Sequence, residues 1–335
     1  MKKEDGVSGH WSRQKEKTAG YWHLKLLLIL FKLLPVFFLR IIAFPVGFFY
    51  FVFSKSARMA SADFMEKAAN FADNPKTAKK LRSPFAPLKN IISFALTLLE
   101  KIQIWSGRFP DKNLLLQNDD AVELTERLKN GKGVLVITSH LGNIEPLRGL
   151  TSFIKTWVSR EITITAVIDM EITENFSRML KEVNPQYNFD IVNSREIGPH
   201  TSGLLEEKLA AGGVVAIAGD RTSANNIEKN LSIPFLGKEA NFPQGVFYLA
   251  ALMQASTQVP IYFVFALRRG DLSLSTKYDL FIHKNTVDYG QISSKKERFT
   301  ASSELASSFA AYLETYCKKY PFQWYNFFDF WAKEV

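Results

Sequence analysis

Residues 133–145 read GVLVITSHLGNIE, and residues 214–221 read VVAIAGDR. Each opens on a short apolar, β-branched run, Gly133 to Thr138 and Val214 to Ala218, of the kind buried on both faces of a sheet. Each then turns abruptly polar. Glu161 to Ile168, Phe189 to Asn193 and Val259 to Ala266 are three further strand candidates. Helical patterns lie at Asp119 to Asn130, Asn175 to Val183, Gly203 to Ala211 and Pro243 to Ala255. Strands alternating with helices predict an α/β domain with a mixed, mostly parallel sheet flanked by helices. Ligands in such sheets gather beyond the carboxyl ends of the strands, which singles out His140 and the pair Asp220 and Arg221.

The first hundred residues have a different character. Ser56 to Phe71 and Asn90 to Trp105 carry apolar residues at helical spacing, and the KTAKKLRSP stretch between them reads as a basic, exposed connector. Leu24 to Phe53 is apolar except for Lys25, Lys32 and Arg40. Its longest charge-free stretch, Ile41 to Ser54, spans 14 residues. That falls short of the roughly 20 that a simple crossing needs. The three cations are expected to snorkel towards headgroups from a helix in or dipping into one leaflet, with Pro35 and Pro45 breaking or kinking it. A tilted crossing helix and a buried apolar hairpin are the alternatives. The expected division is a membrane-anchoring segment at 1–55, a helical connector at 56–109 and the α/β domain at 110–335.

The chain has 335 residues and a formal net charge of +9, which favours an anionic partner. Eight basic residues against three acidic ones fall within the first 40, a net +5 in the most apolar part of the chain. That distribution points to a membrane surface rather than to nucleic acid, for which no reading helix or ribbon stands out. One cysteine, Cys317, cannot form an internal disulfide, and no Cys or His spacing suits a metal. Dinucleotide and Walker glycine motifs are absent, as is a G-x-S-x-G elbow, and Ser139 beside His140 is no catalytic dyad signature. A histidine just past a buried strand can take a proton from an alcohol at neutral pH. Glu145, five residues on, reaches it only through a turn. Spacing alone leaves open a structural histidine and a solvated glutamate.

The stretch SHLGNIE resembles the H-x4-D/E motif of the glycerolipid acyltransferase superfamily, in the glutamate version of the bacterial lipid A biosynthesis (lauroyl or myristoyl type) acyltransferases. Other blocks resemble that family in its order: HWSRQKEKTAGYWHLKLL with the greasy segment after it, SARMASADFM, LLEEKLAAGGVVAIAGDRT, IPFLGKEANFPQGVFYLAALMQASTQVPIYFVFALR and YPFQWYNFFDFW. One departure is Phe327-Phe328-Asp329, where the family's terminal segment continues with basic residues.

The resemblance implies an O-acyltransferase that moves a fatty acyl group from an acyl carrier protein or CoA thioester to a hydroxyl of a lipid-like acceptor, without a cofactor. It implies His140 as general base, Glu145 as its orienter, and Asp220 with Arg221 as a second active-site group. Arg221 suits the oxyanion that thioester attack creates. Asn143 is a candidate substrate contact and Phe235 a candidate wall for the acyl chain. Pro234 to Ala240 and Pro243 to Gly245 are expected as loops around the pocket, with Gly237 and Gly245 permitting tight turns or close backbone approach. The implied location is the cytoplasmic face of a bacterial inner membrane. Rival readings are a lysophospholipid or aminolipid acyltransferase with the same pair, and a membrane-associated binding protein that has lost its chemistry.

Overall fold

The computed structural model describes residues 29–31, 33–147, 162–168, 189–222, 230–273, 277–290, 292 and 294–331. The helix expected at Asn175 to Val183 and the cations Lys25 and Lys32 lie outside them.

The domain is α/β. Its strands are β1 (Leu114–Leu116), β2 (Val134–Thr138), β3 (Ile164–Ile168), β4 (Phe189–Asn193), β5 (Val214–Ala218), β8 (Ile261–Arg268) and β9 (Tyr278–Lys284), and the hairpin β6 (Asn230–Phe235) and β7 (Lys238–Pro243) stands apart. The main sheet has the order β1-β9-β8-β2-β5-β3-β4 and is parallel at every pairing except β8 with β9. The mixed, mostly parallel sheet is therefore present, with a reversed edge that the sequence pattern did not mark.

Alternation along the central strand builds two cores. Leu135 and Ile137 face one side and Val134 and Val136 the other, and all four are buried. On the first side lie α2 (Lys55–Asn70), α3 (Pro75–Leu81), α6 (Pro199–Ala210), α7 (Gln244–Thr257) and α8 (Lys295–Lys319). The second side is covered by α1 (Val36–Phe53), α4 (Ala86–Trp105) and α5 (Asp119–Lys129).

Four local expectations are corrected. Part of the basic connector is the helix α3, because the Asn74 side chain accepts the Thr77 N–H at 2.9 Å and Pro75 sits in the first turn. The loops expected at Pro234 to Ala240 and at Pro243 to Gly245 are instead the hairpin and the start of α7. Leu236 (φ 50°) and Gly237 (φ 75°) form the two-residue turn of that hairpin. Pro35 breaks the helical run as expected and stands as the N-cap of α1, whereas Pro45 does not end α1 but lies inside it. The helix is held through the proline by packing, since Gly47 lies so close to α4 that a Cβ there would meet Ile92 Cγ1 at 2.8 Å.

Arg40 is the fourth correction. It does not snorkel outward but is buried, its Nη2 3.4 Å from Glu100 Oε1 of α4. A buried carboxylate on α4 draws the guanidinium inward, leaving α1 to show an uncharged outer face. Phe37, Ile41, Val46, Phe49 and Phe53 are exposed there, Phe53 by 80%. Among the described residues, α1 is the one helix long and apolar enough to cross a membrane by length and composition.

Candidate active site

The two strand ends that drew attention in the sequence meet. Strands β2 and β5 pair in parallel with Thr138 opposite Ala218, so the residues two further on, His140 and Asp220, emerge side by side. The Gly219 N–H donates to Thr138 O at 2.8 Å and carries this pairing past the strands. His140 Nδ1 lies 2.7 Å from Asp220 Oδ1, and the His140 backbone N–H donates to Asp220 Oδ2 at 2.8 Å. Asp220 is fully buried, whereas 31% of the His140 side chain remains exposed.

Two further donors converge on the same carboxylate. Trp324 Nε1–H reaches Asp220 Oδ2 at 3.1 Å and the Asn326 amide reaches it at 3.4 Å. Burial alone would raise the Asp220 pKa. The positive field and hydrogen bonds of His140, joined by Arg221, outweigh burial and hold the carboxyl below its ordinary range. For His140 the balance runs downward: burial and the nearby Arg221 charge lower its pKa, against the attraction of Asp220. The resulting state is an ionised Asp220 beside a neutral imidazole. Because an ionised carboxylate only accepts, the imidazole proton sits on Nδ1 and Nε2 is left with a free lone pair.

Arg221 follows directly, its Nε 3.4 Å from Asn326 Oδ1. Burial lowers its pKa to about 10 although Asp220 opposes this, so it stays charged at neutral pH. His140, Asp220 and Arg221 are thus brought together.

The other sequence candidates divide. Glu145 is buried with its carboxylate accepting Trp105 Nε1–H at 2.8 Å, and the orienting position on His140 Nδ1 is held by Asp220. Asn143 is buried within the turn, where its Oδ1 accepts the Glu145 N–H at 3.1 Å and its own N–H donates to Ala266 O at 2.9 Å. It shapes the turn from inside. Phe235 is fully buried against Trp324, Phe242, Phe330 and Trp331, so it supports the Trp324 indole from behind instead of lining an open wall. Gly237 serves the hairpin turn beside Phe71, and Gly245 has open space where a Cβ would project.

Sequence reasoning missed the part played by Gln323 to Asn326. Gly142 N–H donates to Gln323 O at 2.7 Å, Tyr325 N–H donates to His140 O at 3.0 Å, and Leu141 forms a bridge with Trp324. This strip laces along the histidine turn while its side chains reach Asp220. The available signal was the Q-W pair in the terminal block, but no spacing rule connects it to a histidine so far back in the chain.

Among the described residues, no three His, Cys, Asp or Glu side chains gather as a metal site requires. The fold and the pair together define an α/β domain carrying a carboxylate-supported histidine at the ends of two adjacent parallel strands. No protein-family model and no curated protein sequence matches the chain.

Proposed function

We propose that the protein is an O-acyltransferase, transferring a fatty acyl group from an acyl carrier protein or CoA thioester to a hydroxyl of a lipid-like acceptor. The observation that carries this reading is the His140–Asp220 pair, which fixes the tautomer that a general base needs and leaves part of the imidazole exposed. Nε2 takes the hydroxyl proton as the acceptor oxygen attacks the thioester carbonyl. The tetrahedral oxyanion collapses, the C–S bond breaks, and the proton passes from the imidazolium to the departing thiolate. Asp220 stabilises the imidazolium and the Arg221 charge offsets the oxyanion. The exposed apolar face of α1 supports work at a bilayer surface, where an acyl chain need not leave its lipid. The reading extends to membership of the lipid A acyltransferase family and to the cytoplasmic face of a bacterial inner membrane.

The test uses the purified full chain in liposomes with radiolabelled acyl-CoA or acyl carrier protein and a panel of lipid A precursors, lysophospholipids and aminolipids. Formation of an alkali-labile labelled lipid is expected, and the acceptor that takes the label separates the lipid A reading from its lysophospholipid and aminolipid rivals. Absence of transfer from both donors to every acceptor overturns the proposal.

Two further outcomes follow from the electrostatics. The base works only when neutral, and its pKa lies below the ordinary 6.5. Turnover should therefore hold as pH falls through 6.5 and drop only in more acidic solution; a midpoint above 6.5 would contradict the burial argument. Arg221→Lys keeps a charge but loses the planar fork, and turnover should fall by about 10-fold, the effect of a weakened transition-state contact worth ~1.4 kcal/mol. Unchanged turnover in Arg221→Lys and in Arg221→Ala alike would remove the residue from the site.

A further inference from the structure

Helix α4 is largely apolar, yet Asn90, Ser93, Thr97 and Glu100 recur along it at helical spacing and all are buried. Each has a task. Asn90 Nδ2 donates to the carbonyls of Phe322 and Trp324, at 3.1 Å in both cases. Ser93 and Thr97 meet the Tyr325 hydroxyl at 3.0 and 2.8 Å. The polar stripe of α4 therefore grips one edge of the 322–325 strip, whose other edge is bonded to the turn carrying His140.

At the end of the stripe, Glu100 gathers Arg40 Nη2 at 3.4 Å, Arg268 Nη1 at 3.7 Å and the Tyr278 hydroxyl. From Glu100 two routes lead to the histidine turn. Tyr278 is contacted by the Asn143 amide at 3.4 Å, and Asn143 caps the Glu145 N–H. The Arg268 backbone exchanges two hydrogen bonds with the Gln323 side chain, at 2.9 and 2.8 Å, and the Gln323 carbonyl receives Gly142 N–H.

Charge is out of balance in this network, with two buried guanidiniums around one carboxylate. Arg40 Nε, Arg268 Nε and Arg268 Nη1 have no hydrogen-bond partner among the described residues. A buried cation in surplus is a poor way to fasten a helix, because an apolar side chain of similar length packs without the desolvation cost. Adhesion of α1 to α4 does not account for an arginine at this position.

We propose that Arg40 is a positioning residue, tying the membrane-facing helix α1 through Glu100 to the turn that carries His140. The consequence for turnover rests on the acyl-transfer reading; the consequence for the His140 environment does not.

The variant is Arg40→Met in the full chain, which keeps the packing and leaves Glu100 and Arg268 as a balanced pair. Its denaturation midpoint should equal or exceed that of the wild type. Its kcat should fall by about 2- to 30-fold, the usual range for coupling through packed networks, with KM little changed. Arg40→Lys should recover part of the loss. Tyr278→Phe removes one hydroxyl from the same chain and should show the same pattern, deciding the matter if Arg40→Met does not fold. The independent readout is the NMR titration of ¹³C-labelled His140 in detergent, which should shift in both variants. A shifted titration in a chain that transfers no acyl group would sustain the positioning role and remove the acyl-transfer reading. Native turnover with a native His140 titration in the folded variants would overturn the positioning role.

Discussion

Asp220→Asn is expected to leave the protein folded and to lower turnover by on the order of 10²–10⁴-fold, in the range seen when the carboxylate behind a catalytic histidine is neutralised. Three donors, the His140 backbone N–H, Trp324 Nε1–H and the Asn326 amide, all use Oδ2. An asparagine oxygen in that position still accepts them, which preserves the local structure. The Oδ1 position facing His140 Nδ1 then becomes an NH₂ group. To accept from it, the ring must move its proton to Nε2, and the lone pair needed for the hydroxyl proton is lost. His140→Ala should cause a loss of the same order, and the double variant should be little worse than either single one, because the two residues act as a unit. The measurement is acyl transfer from a labelled thioester, with circular dichroism and thermal melting as controls. A folded Asp220→Asn protein within a few-fold of wild-type turnover would remove Asp220 from the mechanism.

Gly142→Ala should be the most damaging small substitution in the turn. Gly142 has φ +75°, and a Cβ there would lie 2.2 Å from the Ala266 carbonyl oxygen, a contact with backbone that no rotamer change relieves. The backbone cannot simply withdraw, because Gly142 N–H is bonded to Gln323 and the next residue is bonded to Ala266. Gly107→Ala supplies the comparison, with φ +68° but nothing within 4 Å of the added carbon. The left-handed conformation alone should cost Gly107→Ala about 1–2 kcal/mol. Gly142→Ala should cost on the order of 3–5 kcal/mol, the level reached by overpacking combined with a broken buried network. Urea unfolding of both variants in the same detergent decides it. Equal losses would show that the turn yields more freely than its contacts imply.

What was legible in the sequence followed the periodicities. The runs at 133–138 and 214–218 are strands because their β-branched residues bury both faces, and their register alone brings His140 and Asp220 together. Arg221 comes with Asp220 as its chain neighbour. Less legible was anything decided by a partner distant in the chain. Glu145 lies five residues from His140, but its carboxylate accepts the indole N–H of Trp105, and the orienting carboxylate arrives from position 220. Arg40 looked like a headgroup contact because nothing near it in sequence carries a negative charge; Glu100 is 60 residues away. Phe235 and the terminal aromatics form one cluster that composition cannot distinguish from a lipid-facing wall. The hairpin and the β8–β9 antiparallel edge are different, since each joins strands consecutive in the chain, from Phe235 to Lys238 and from Arg268 to Tyr278.

The lacing of residues 323–326 along the histidine turn has a consequence in time. Trp324 follows Asp220 by 104 residues. At roughly 5–20 residues per second on the ribosome, the interval between the two is on the order of 5–20 s. Throughout it the nascent chain holds His140 and Asp220 but lacks the indole, the amide and the backbone edge that fix them, whereas α1 was synthesised long before. The proposed chemistry would therefore switch on only late in synthesis, long after α1 is complete, and a ribosome stalled before position 324 would display an inert chain.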